Sequence, residues 1–130
     1  MAASAVTPNG HTYNTASGEA TYVTFAASDG VLITFNIPDT KAQISLKNTS
    51  TDTTRTAIIY AGNGIQGVSN APTTTAAANI SVTIEPSTVK VIPIETGIYK
   101  FASGTYKGKV MIKDSNTTST SLQCKVDYIV

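Results

Sequence analysis

An all-β fold in a single domain is what this sequence predicts, and three observations predict it. Thr, Ser and Ala crowd a composition that is 41% hydrophobic and only 13% charged, and the branched Cβ of Thr suits a pleated surface. The helix formers Glu, Lys and Leu are scarce, which leaves helix almost nowhere to form. Apolar runs of about five to nine residues alternate with Gly, Pro, Asp and Asn turn chemistry, the spacing of a sandwich or barrel. The expected architecture is a β-sandwich, Ig-like or jelly-roll-like, of about eight short strands behind an extended N-terminal arm. At 130 residues one core is enough, because a chain of this length buries roughly two-thirds of the surface its unfolded form exposes.

Residues 1–19 carry Pro8, Asn9-Gly10 and Ser17-Gly18 with little periodicity. They read as an extended arm that adds little to the core, ahead of a sandwich domain over 20–130. Strict alternation marks the clearest strands, since a period of two sends one set of side chains to each face. Lys41 to Lys47 turns Ala42, Ile44 and Leu46 inward, Asn79 to Glu85 does the same with Ile80, Val82 and Ile84, and Ser121 to Tyr128 with Leu122, Cys124, Val126 and Tyr128. Less regular runs over Thr21–Ala26, Val31–Asn36, Arg55–Ala61, Thr88–Glu95 and Lys109–Lys113 complete the set. Val31-Leu32-Ile33 and Ile58-Ile59-Tyr60 are apolar on both faces, as in a strand covered on both sides or a face that meets a partner. Turns fall at Asp29-Gly30, Pro38-Asp39-Thr40, Thr49 to Asp52, Glu85-Pro86-Ser87 and Asp114-Ser115-Asn116, where each residue type has a local conformational reason to be. Asn70 to Ala78 reads as a long exposed loop.

Nine Lys and Arg against eight Asp and Glu give a formal charge of +1. That leaves no field to gather nucleic acid or an anionic membrane. The first residues lack the basic and apolar regions of a secretory signal, and no run approaches a membrane span; the expectation is a protein made in a cytoplasm. Cys124 is the single cysteine, so no intramolecular disulfide is expected.

Each pattern that resembles a catalytic or cofactor motif has a plainer explanation. Gly62-Asn63-Gly64-Ile65-Gln66-Gly67 spells a dinucleotide fingerprint, with Glu85 near the ribose-binding distance. The motif needs a helix N-terminus after its glycines, and Val68 to Thr73 cannot supply one, so a tight turn is expected and no cofactor. His11 and Cys124 are far apart in sequence, and Cys124 alternates with buried positions, as an inert thiol would. One Cys and one His do not complete a zinc shell. Glu85 and Glu95 end neighbouring strands, but carboxylates at turns mostly solvate loops. No catalytic residue, metal site or enzyme activity is expected. Tyr99-Lys100-Phe101 and Tyr106-Lys107-Gly108-Lys109 mix aromatics with positive charge, a composition suited to a protein interface, a plain hairpin, or a platform that stacks sugars. The three Asn-x-Ser/Thr triplets are ascribed to the abundance of Ser and Thr.

Ala61-Gly62-Asn63-Gly64-Ile65-Gln66-Gly67-Val68 together with Gly97 to Ile112, which includes Ser103-Gly104-Thr105-Tyr106-Lys107-Gly108-Lys109-Val110, resemble small β-rich proteins encoded beside the major capsid protein in tailed phages of Gram-positive hosts. The resemblance covers Lys41 to Val130. It implies a head decoration or capsid-stabilising protein on the outer surface of the virion shell. Its partner would be the major capsid protein, and copies would associate with one another, a trimer fitting a three-fold site. The resemblance carries over no site residues; the partner contacts expected in this chain are Gly62, Asn63, Gly64, Tyr99, Lys100, Phe101, Tyr106 and Lys107. Two alternatives stay open: a carbohydrate-binding or adhesin-like module using Tyr99, Phe101 and Tyr106, and a tail or neck structural protein.

Overall fold

Alternation carries through to the coordinates. The computed structural model describes residues 3–12, 14, 16, 18–35, 41–60, 79–95, 99 and 107–129. The ten elements named among the described residues are strands: β1 (Ser4–Val6), β2 (Asn9–His11), β3 (Val23–Thr24), β4 (Val31–Thr34), β5 (Lys41–Asn48), β6 (Arg55–Ile59), β7 (Ile80–Ile84), β8 (Val89–Glu95), β9 (Lys109–Asp114) and β10 (Leu122–Ile129). They form two mixed five-stranded sheets. One, here sheet A, runs β1-β4-β9-β6-β7; the other, sheet B, runs β2-β10-β5-β8, with β3 also on β10.

The two sheets close on residues that alternation selects. Ala42, Ile44 and Leu46 of β5 lie beside Leu122, Cys124 and Val126 of β10 on the inner face of sheet B, and Val31, Ile33, Ala57, Ile59, Ile84, Val110 and Ile112 of sheet A meet them across the core. Each large aliphatic side chain so buried contributes about 1.5–3 kcal/mol relative to leaving it in water. The doubly apolar stretches in β4 and β6 fit interior strands of sheet A: Ile58, Tyr60 and Met111 form a second buried cluster with Leu32 beside it, so that face is covered within the chain. Pairing β5 with β8 and β6 with β9 reproduces the B–E and C–F pairs of an immunoglobulin sandwich. The flanking strands differ, because β4 pairs with β9 and β10 with β5.

The N-terminal segment corrects one expectation. Residues 4–11 give each sheet an edge strand: β1 pairs parallel with β4 and β2 parallel with β10, with the chain crossing between sheets at Thr7-Pro8. Val6 is 2% exposed and belongs to the core. The strands are three residues long and hold one inward apolar side chain between them, too little for a periodic signal. β2 and β3 lie end to end along the same edge of β10, against Asp127–Ile129 and Gln123–Cys124 respectively.

Gly30 locks this edge. Its carbonyl accepts the amides of Ser4 and Ala26 at 3.0 and 3.1 Å, and its own amide donates to Ala26. Its φ of +67° is left-handed, and a Cβ there would lie 2.1 Å from the Ile112 carbonyl oxygen. On the opposite flank β8 is an open edge of sheet B among the described residues. Val89 and Val91 are 45% and 52% exposed there, and Pro93, in register with Gln43, has no amide to donate, as befits an edge.

Replacing Gly30 with Ala adds backbone strain and a clash with a carbonyl that cannot move freely. The expected loss is about 3 kcal/mol or more, read as a lowered urea midpoint and early hydrogen exchange in β1.

Candidate functional site

The strand directions sort the connections by length. β4, β6, β8 and β10 run toward one end of the sandwich and β5, β7 and β9 leave it. The strand ends that bound the connections 35–40, 60–79 and 96–108 therefore meet at that end, and the connections over 25–30, 49–54, 85–88 and 115–121 share the other. The second end is knitted by hydrogen bonds. The buried Asn48 amide donates to the Thr53 and Ile84 carbonyls at 2.8 and 3.0 Å and accepts from the Ser50 amide. Thr49 and Ser87 amides donate to Ser121 and Ser50 carbonyls, both at 2.9 Å. Asp114 and Asn116 accept amides two residues on, at 2.9 and 3.0 Å.

Of the residues singled out from sequence, Lys107 is exposed beside Gly108, whose carbonyl accepts the Phe35 amide. Tyr99 has helical backbone geometry rather than that of a hairpin strand, and its half-buried ring packs against the core. Gly62, Asn63, Gly64, Lys100, Phe101 and Tyr106 lie outside the described residues. What the topology does bring together is their surroundings: Tyr60, Asn79, Glu95 and Lys107 all bracket connections at the long-connection end.

A cavity that periodicity did not reveal lies on the outer face of sheet B toward that end. Two rows of outward residues form its floor. Asp127, Gln43 and Pro93 stand in register across β10, β5 and β8, and His11 pairs with Ile129 two residues further along, with Lys41 lining the same cavity. With Gly18, Glu19 and Lys125 at the wall the cavity measures about 570 Å³. His11 Nε2 donates to Asp127 Oδ1 at 2.7 Å, and because a carboxylate only accepts, this contact sets the tautomer of the ring. Asn9 Nδ2 donates to the Gly18 carbonyl at 2.8 Å, tying the wall to β2.

A charged strap crosses the same face. Lys125 donates to Glu19 at 2.8 Å, and two ammonium groups stand over the Tyr22 ring, Lys125 at 5.0 Å and Lys47 at 5.4 Å from its centroid, within cation–π range. The hydrogen bond from Lys125, then its charge, lowers the Glu19 carboxyl below its ordinary range, and the same hydrogen bond raises Lys125.

The remaining reactive groups are kept apart. Cys124 points into the core, and burial pushes its thiol up to about 12, while His11 sits on the outer face. Glu85 and Glu95 flank opposite ends of β8, roughly 20 Å of strand apart, so they share no cleft. Among the described residues no three His, Cys, Asp or Glu side chains cluster to hold a metal, and no helix is long and apolar enough to cross a membrane. Set against protein families, curated proteins and solved structures, the chain matches none.

Two outcomes follow. Glu19 has a folded pKa below its ordinary 4.5, so the strap is fully held above that value and lost as pH falls through the lowered one. Lys125, raised above its ordinary 10.5, holds it below that value and releases it as pH rises past the raised one. Tyr22 ring resonances and amide protection factors over 19–24 should change at both extremes and stay flat between. Cys124 should resist a thiol-specific reagent at neutral pH and react in full on adding denaturant; rapid modification of the folded chain would contradict its burial.

Proposed function

We propose that this chain is a virion structural protein: a head decoration protein that binds the outer surface of the major capsid shell and stabilises it. The observation that supports this best is that the described residues nearest to both segments carrying the capsid-protein resemblance, Tyr60 before 61–68 and Glu95 and Lys107 around the start of 97–112, stand at the same end of the sandwich. In a sandwich, loops gathered at one end on a rigid scaffold are the usual place for recognition. The other end is short turns fastened by hydrogen bonds, suited to bearing load rather than to reshaping around a partner. A disulfide-free core with little net charge lets many copies sit close together, and a shell that repeats one site multiplies weak contacts.

On this reading Lys107 and its neighbours meet the capsid, copies associate around a symmetry axis, and no chemistry is performed. A tail or neck location would use the same surface.

Mass spectrometry of purified virions, fractionated into heads and tails, tests the proposal. The chain is expected in heads and released as an intact species; its absence from heads ends the idea, and recovery in tails alone moves it there. Reversing the charge with Lys107→Glu should weaken rebinding to stripped heads about tenfold, as loss of one interface charge commonly does.

A further inference from the structure

The outer face of sheet B assigns a second role that is independent of the shell reading: we propose that its cavity binds a neutral glycan. Most of the charges in it are committed. His11 is paired with Asp127 and Lys125 with Glu19, and of the charged residues lining the cavity only Lys41, at the exposed start of β5, has no ion partner among the described residues. One exposed ammonium gives an ionic ligand little to answer its own charge, whereas a polyol needs donors and acceptors and no net charge.

Those groups are present and held in place. Asp127 spends one oxygen on His11 and keeps acceptor capacity on the other. Gln43, its cross-strand neighbour in register, is exposed and has no hydrogen-bond partner among the described residues. Opposed side chains on adjacent antiparallel strands start about 5 Å apart, so a carboxylate and an amide lie side by side, able to take two adjacent hydroxyls. Pro93, on the far side of Gln43, and Ile129, 49% exposed, give the C–H face of a sugar ring an apolar surface. The volume of about 570 Å³ falls within the range of small-ligand sites. Strands rather than loops hold the polar pair, which reduces the ordering cost of binding.

This site differs from the aromatic platform that the sequence suggested. Tyr99 of that platform packs against the core, while the cavity uses none of its residues.

The test is a glycan array carrying neutral hexose-, deoxyhexose- and N-acetylhexosamine-terminated probes beside sialylated and sulfated ones, followed by NMR titration of the full chain with the best neutral probe. Saturable binding is expected, with amide shifts in β5, β10 and β2. Gln43→Ala, at an exposed position, should weaken it at least tenfold without moving the melting temperature. No neutral probe bound, binding restricted to the acidic probes, or affinity unchanged in Gln43→Ala would each overturn the proposal. None of these outcomes bears on whether the chain is found in virion heads.

Discussion

Strand β10 is the member on which the rest of the molecule hangs. Its inward residues Leu122, Cys124 and Val126 are fully buried, and β5 pairs with it from Leu122 to Tyr128. On its other edge β3 and β2 follow one another, so the beginning of the chain is fastened to its end. The same strand presents Lys125 and Asp127 outward, where the first holds the strap through Glu19 and the second holds β2 through His11. Core packing, sheet edge and surface cavity thus depend on one alternation. A register slip by a single residue would exchange the greasy set for the charged one.

Apolar patterning between turns made the seven longer strands and the short β3 legible, most clearly β5 and β10, because each residue type there agrees with the face it occupies. It was silent on β1 and β2. A three-residue strand cannot display a period, and parallel pairing to β4 and β10 depends on segments far away in sequence. The left-handed conformation of Gly30 was readable as a turn, but its closeness to the Ile112 carbonyl belongs to tertiary packing. Leu32 and Ile58 show a related ambiguity: apolar residues on both faces fit equally a partner surface and an internally covered one, and Tyr60 and Met111 decide for the latter.

The surface was less legible than the core. Sequence attention went to aromatic and glycine-rich stretches, whereas the cavity is made of Gln43, Asp127, His11 and Pro93, ordinary residues that acquire meaning only when four strands set them side by side. His11 looked isolated for the same reason, since its partner lies 116 positions later. The distinction between a long-connection end and a knitted end likewise follows from strand direction, which no local pattern encodes.

Pro93 carries a consequence beyond its own strand. An open sheet edge invites a second sheet to extend it, and the exposed valines of β8 would reward such growth. A missing amide near the centre of that edge interrupts the ladder any newcomer would build. That edge is therefore a poor template for fibril growth even where the chain is concentrated.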